Sequence, residues 1–216
     1  MNSSTAIGHG NPPAMKNGVR TGTTTVGFIV KDAVILAADK RATEGFYIAT
    51  GKAMKILKIT DRIWSTIAGS VADAQYLIDL MAAQAHLFEL QTGRSITVNT
   101  VVKILAGELF RHKAKGMYEV QHIIGGVDDE GPKLFDVGGD GSIIKEDCTS
   151  TGSGLRFSYG VLEDGYKEGM SIEEGIELAK KAIFSAISRD VFTGTGADVF
   201  IITKDGTEHK FFKPNE

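Results

Sequence analysis

The chain has 216 residues, 42% of them hydrophobic and 24% charged, and a formal net charge of −3. That length suits one domain with a sizeable core, and the lack of a basic excess argues against nucleic acid as a partner. No apolar run reaches membrane-spanning length, and a single cysteine, Cys148, cannot close an internal disulfide, which fits a reducing, cytoplasmic setting.

Residues 1–22 differ in kind from the rest of the chain. They hold two of the four prolines, Pro12 and Pro13, together with several Gly, Ser and Asn, and no acidic residue. They lack the long apolar core of an export signal and read as a flexible leader. Without this leader the chain carries 22 basic and 27 acidic side chains, a net charge of −5.

Thr23–Val30 and Ala33–Ala38 read as a hairpin around Lys31-Asp32, the second run apolar on both faces and so a covered central strand. Lys55–Thr60 and Ile63–Ala68 predict a second hairpin around Asp61-Arg62. Ser70 with Asp73 resembles a capping box, and Ala74, Leu77, Met81, Ala85 and Phe88 come after it at helical spacing until Gly93. A second helix is expected from about Thr97 to Lys115. Strands return at Glu119–Val127, Lys133–Val137 and Ile143–Cys148, with Gly138–Gly141 turning between the last two. Gly152-Ser153-Gly154 opens a further helix. Ser171 with Glu174 caps another, whose apolar stripe of Ile176, Ala179, Ile183 and Ala186 runs toward Asp190. Ala197–Thr203 and Glu208–Lys213 close the chain as a hairpin around Asp205-Gly206. Strands, two helices, strands, two helices, strands is not βαβ alternation. It predicts an α+β fold with two packed antiparallel sheets covered by helix pairs.

Thr21-Gly22-Thr23-Thr24-Thr25-Val26-Gly27 offers the sharpest chemical signal. A cut after Gly22 would make Thr23 a new N-terminus that carries a hydroxyl nucleophile and its own amine base. The plain alternative is a β-branched strand. Other residues also admit two readings. Lys55 is either buried on an apolar face, with a lowered pKa, or a snorkelling surface lysine. Asp39, at the mouth of the covered strand, is either a charged turn or the partner of a buried lysine. Asp190 in a last helical turn opposes the helix dipole, so it either has a cationic or amine partner or sits on a frayed end. Ser153 fits a helix entry. Gly69, between strand and helix, is either a plain junction or a backbone oxyanion donor. The five histidines show no metal-ligand spacing, and neither a metal nor a cofactor is expected.

Taken in order, Thr21–Gly27, Asp39 with Arg41, Lys55, Thr66-Ile67-Ala68-Gly69, Ser150–Gly154 and Arg189-Asp190 resemble the β subunit of the archaeal 20S proteasome. The resemblance implies a four-layer αββα sandwich of the N-terminal-nucleophile hydrolase class, with residues 1–22 a self-removed propeptide and 23–216 the hydrolase domain. It implies Thr23 as nucleophile and base, Lys55 and Asp39 tuning it, Gly69 at the oxyanion, and Ser153 and Asp190 bonded around the amine. Arg41 and Thr43 match structural and substrate-strand positions. Thr193 stands where the family usually has serine. Ala42, Ala53, Leu57, Ile67 and Val71 would line an apolar pocket for the residue before the cut. The implied partners are further copies in a homo-oligomeric β ring, α-type subunits, an ATPase cap and unfolded polypeptide. A β-type subunit that only builds the ring is the alternative.

Overall fold

The computed structural model describes residues 20–44 and 47–214. The leader's first 19 residues, including His9, lie outside the described residues. Thirteen strands and four α-helices succeed one another among the described residues: β1 Arg20–Thr21, β2 Thr24–Val30, β3 Ala33–Asp39, β4 Ala42–Glu44, β5 Tyr47–Thr50, β6 Ile56–Thr60 and β7 Ile63–Ser70. Then come α1 Val71–Thr92, α2 Val98–His112, β8 Val120–Asp128, β9 Gly131–Gly138, β10 Ile143–Glu146, β11 Cys148–Gly152, α3 Leu155–Gly165, α4 Ile172–Ile187, β12 Ala197–Thr203 and β13 Gly206–Phe212.

Two antiparallel sheets stack face to face. One has five strands in the order β11-β2-β3-β12-β13; the other has eight, β10-β9-β8-β7-β1-β4-β5, with β6 also on β7. Every residue of β3 is buried, as its unbroken apolar run requires for a strand with a partner on each edge and a layer on each face. Val34, Leu36, Ile123, Leu134 and Phe200 fill the space between the sheets. Leu77, Met81, Val101, Leu105 and Leu109 pack α1 and α2 onto the outer face of the larger sheet. Ile176, Ala179, Ala182 and Ile183 do the same for α4 on the smaller one. The predicted four-layer αββα sandwich is thus the observed fold. No helix among the described residues is long and apolar enough to cross a membrane.

Local signals act where the sequence placed them, with three corrections. Ser70 caps α1 by accepting from the Asp73 N–H at 3.4 Å, but the reciprocal bond is missing because the Ser70 N–H donates to Glu119 O at 2.7 Å. The full capping box is at Ser171 and Glu174. The expected strand Ile143–Cys148 is two strands in different sheets, β10 beside β9 and β11 beside β2; the chain crosses between layers at Asp147. Finally, α4 ends at Ile187, so Asp190 lies beyond the helix. Its N–H still reaches Ala186 O at 2.8 Å, which carries one more turn into the site.

One element had no forecast. The last leader residues form β1, antiparallel to both neighbours, with Arg20 opposite Thr43 and Ser70, and Thr21 opposite Gly69. It continues along β7 where β6 stops, β6 having paired with Ile63–Thr66. The leader therefore fills a strand-wide slot between β7 and β4.

Candidate active site

Thr23 emerges from that slot at the start of β2, and it is completely buried. Asp39 ends the neighbouring strand and is also completely buried. One carboxylate oxygen, Oδ1, accepts from the Thr24 N–H at 3.0 Å and from Lys55 Nζ at 2.7 Å. The other, Oδ2, accepts from the N–H groups of Arg41 at 3.0 Å and Gly194 at 2.9 Å. The carboxylate is held on both oxygens, as a charge removed from water must be.

Lys55, just before β6, is 1% exposed, which rules out the snorkelling reading. Burial lowers its pKa below the usual lysine value, and the Asp39 charge and hydrogen bond work against that fall. Its ammonium nitrogen also donates to the carbonyl oxygen of Gly22 at 2.8 Å. That oxygen belongs to the peptide bond joining the leader to Thr23.

On the other side, the Thr23 N–H donates to Ser153 Oγ at 3.1 Å, and Ser153 Oγ lies 2.6 Å from Asp190 Oδ2. Ser153 Oγ is also 3.3 Å from Thr23 O, but it has one proton, and the shorter contact to a carboxylate is the stronger claim on it. Thr193 donates to the same Asp190 oxygen at 2.5 Å and lies 2.7 Å from Thr24 Oγ1. The extra methyl of Thr193 therefore leaves the hydroxyl contact to Asp190 intact. Gly152 and Gly154 flank Ser153 because the strand bearing Thr23 passes so close: a Cβ at Gly152 would meet Thr23 O at 2.1 Å, and one at Gly154 would meet Thr24 Oγ1 at 1.9 Å.

Arg41 braces this region from below. Its guanidinium lies over Gly194 and donates to Val191 O at 2.9 Å. Gly69 stands opposite Thr21, with φ +107° and its Cα against Glu119 O. Ala42 and Thr43 lie on β4, and the Ala53 N–H donates to Lys40 O at 3.0 Å. Leu57 and Ile67 pack into the core beneath α1, whose first residue is Val71. The structure thus gathers Thr23, Asp39, Lys55, Ser153, Asp190, Arg41 and Thr193 around the Gly22–Thr23 bond, with Gly69 and Thr43 along the leader strand. Two participants escaped the sequence reading. The Gly194 amide is one, and the Gly194-Thr195-Gly196 run near the charged strand end was its available signal. Phe192 is the other: it packs directly on Gly22, and a lone aromatic in a loop gives no signal at all.

A buried threonine between a leader strand and a lysine–aspartate pair, in a two-sheet αββα sandwich, defines the N-terminal-nucleophile hydrolase class of fold. The proteasome subunit family model matches residues 19–202. Proteasome subunit beta 2 of Sulfolobus acidocaldarius is 47% identical over 196 residues, 91% of this chain and 96% of that protein. Proteasome subunit beta of Methanopyrus kandleri is 47% identical over 185 residues, 85% and 88% of the two chains. That of Methanoregula boonei is 45% identical over 190 residues, 88% and 89%. The chain belongs to the proteasome subunit family, in its β branch, and membership makes it a subunit of a protease.

Proposed function

We propose that this chain is a catalytic β subunit of a 20S proteasome core: a threonine-type endopeptidase that removes its own residues 1–22. The observation that carries the proposal is the 2.8 Å hydrogen bond from Lys55 to the carbonyl oxygen of Gly22, at the very bond to be cut. The Thr23 hydroxyl adds to the Gly22 carbonyl carbon while Lys55 polarises the carbonyl oxygen. The C–N bond breaks, and the nitrogen of Thr23 ends with the proton the hydroxyl gave up. Water then hydrolyses the ester, releasing the leader as a carboxylic acid and restoring the hydroxyl. Thr23 is left with a free amine.

In the mature chain that amine takes the proton from the Thr23 hydroxyl as it attacks a substrate peptide. Lys55 depresses the amine's pKa by charge repulsion, and Asp39 fixes Lys55 in place. Ser153, tied to Asp190, orients the amine nitrogen it already touches in the precursor. Gly69 contributes a backbone donor to the substrate oxyanion. The slot that β1 fills beside Gly69 and Thr43 becomes the track of an extended substrate, which pairs there as the leader did. Ala42, Ala53, Leu57, Ile67 and Val71 carry no charge, so a large apolar residue is preferred before the cut. The setting is cytoplasmic, in a β ring of identical copies flanked by α-type subunits, with an ATPase cap feeding unfolded polypeptide.

Intact mass of the chain, alone and co-expressed with an α-type partner, tests this reading. The expected result is loss of residues 1–22 on assembly, leaving Thr23 first, with no loss in Thr23→Ala. An intact leader in the assembled particle would instead identify a ring-building subunit without activity. Fluorogenic peptides ending in Leu, Tyr, Arg or Glu test the preference, and fastest cleavage after Arg would refute it.

A further inference from the structure

Gly22 is required by contact and not by backbone angle. It is not among the glycines whose φ lies in the left-handed region. A Cβ placed on it would sit 1.9 Å from Phe192 Cβ, 2.7 Å from Phe192 Cγ and 3.0 Å from Phe192 Cα. Contacts under 3.0 Å are essentially never tolerated by a real Cβ, so something would have to move. The carbonyl of the same residue is held by Lys55 at 2.8 Å.

Phe192 has little room to retreat. Its own N–H donates to Asp190 Oδ1 at 3.2 Å. On its C-terminal side, the N–H of Thr193 reaches Asp190 O at 3.1 Å and the Thr193 hydroxyl reaches Asp190 Oδ2 at 2.5 Å. On its N-terminal side, Val191 O accepts from Arg41 Nη1 at 2.9 Å. The backbone that carries the ring is thus anchored before and after it, to groups of the site itself.

We propose that Phe192 is a positioning residue for leader removal: a wall that holds the Gly22 carbonyl against Lys55 and admits glycine alone at the residue before the cut. This rests on the reading that the chain cleaves itself. It carries a sharp consequence. The nearest atom of the wall is Phe192 Cβ, so trimming Phe192 to alanine leaves the obstruction in place. Trimming it to glycine removes the obstruction and leaves a contact of 3.0 Å to Cα.

The test tracks leader removal by intact mass after mixing with α-type subunits, in six chains: wild type, Gly22→Ala, Phe192→Ala, Phe192→Gly, and the two doubles carrying Gly22→Ala. Gly22→Ala is expected to slow leader removal roughly 100-fold, because it displaces the scissile carbonyl from its donor. The cost of Gly22→Ala stays near that value with alanine at 192. With glycine at 192 it falls below about tenfold. Leader removal from Gly22→Ala at the wild-type rate overturns the proposal, as does equal recovery by both changes at 192. A full Gly22→Ala cost in the Phe192→Gly background overturns it too. If Phe192→Gly unfolds the chain, Gly22→Ala decides alone: an unchanged rate overturns the wall, and slow removal at an unchanged melting temperature supports it. A wild-type leader that stays on in the assembled particle sinks the self-cleavage reading instead.

Discussion

Asp39 is the residue on which the order of the site depends. Four hydrogen bonds converge on its carboxylate, and one of the donors, Lys55, is nearly as buried as Asp39 itself. Removing the aspartate strands an ammonium in the interior. Asp39→Ala is expected to destabilise the chain by about 3–5 kcal/mol at neutral pH, measured by denaturant unfolding. The sign of its pH dependence comes from the lysine. Burial already lowers the Lys55 pKa, and loss of the carboxylate lowers it further. The unfolded chain then binds one more proton than the folded one between the folded value and the ordinary lysine value, so stability rises with pH across that window. The wild type shares that rise above its own lowered Lys55 value, so the Asp39→Ala penalty should shrink between the variant's folded value and the wild-type one and level off above it; a penalty that stays flat throughout would mean the buried charge is not its cause. Thr193 is tested more simply. Its hydroxyl donates to Asp190, so Thr193→Val leaves the carboxylate one donor short beside Ser153. We expect kcat on a fluorogenic peptide to fall by about tenfold, against about twofold or less for Thr193→Ser, which keeps the donor. Equal losses in both would assign the effect to packing.

Strands are joined across the sandwich by a line of buried threonines. Thr25 Oγ1 on β2 lies 3.1 Å from Thr66 Oγ1 on β7 and 2.7 Å from Thr151 Oγ1 on β11. The Ile123 N–H also donates to Thr66 Oγ1 at 3.2 Å, so Thr66 joins the hydroxyl line to the backbone of β8. All three side chains are completely buried. The chain of hydroxyls thus ties the strand of Thr23, the strand of Gly69 and the strand leading into Ser153. Thr66→Val deletes the hydroxyl that joins Thr25 to the Ile123 N–H and should cost about 1–3 kcal/mol in thermal or denaturant unfolding. Adding Thr25→Val should cost less than the sum of the two single changes, because the Thr25 hydroxyl has already lost one of its two partners; strict additivity would break the proposed line. The same element scale marks how far the sequence could be read. The hairpin of β2 and β3, both helix caps at Ser70 and Ser171, and the αL stop at Gly93 arise from local chemistry, and each is where its residues predict. The split of Ile143–Cys148 between two sheets was not legible, because crossing from one layer to the other is decided by which edges are free and not by the residues of the strand. Strand β1 escaped for the same reason: two residues of leader have no pattern, and their pairing comes from the slot between β7 and β4. Thr23, Asp39, Lys55, Ser153 and Asp190 were legible as an ordered set of motifs. Their contacts were not, since Thr23 and Ser153 are 130 positions apart and meet only once β11 is docked on β2.

At the scale of the whole molecule, packing two sheets into one sandwich places a titratable ring in the interior with nowhere to put a second proton. His122 on β8 is completely buried. Its Nδ1 lies 3.1 Å from Ser65 Oγ, whose own proton goes to Thr66 O at 2.9 Å, and 3.2 Å from Thr66 O itself; with both partners accepting, Nδ1 carries the hydrogen and Nε2 the lone pair. Nε2 is buried without a hydrogen-bond partner among the described residues. Protonation would put a charged N–H where it has no acceptor, and burial accordingly pushes the His122 pKa down from 6.5 to about 4. The folded pKa of this base lies below its unfolded value, so the unfolded chain binds the extra proton first. Stability is intact above pH 6.5, falls as the pH drops toward about 4, and stops falling on this account below that point. Each tenfold difference in proton affinity between the folded and unfolded chain is worth about 1.36 kcal/mol, so the full loss is about 3 kcal/mol, a large part of what a domain of this size has to spare. His122→Gln keeps an N–H for Thr66 O and cannot titrate. Unfolding free energies of the full chain and of this variant, taken from pH 7 to pH 4, should therefore converge as the pH falls, by about 3 kcal/mol in total. A difference that does not change with pH would show that His122 keeps an ordinary pKa in the folded chain, and the acid sensitivity of the sandwich would then have to come from its carboxylates.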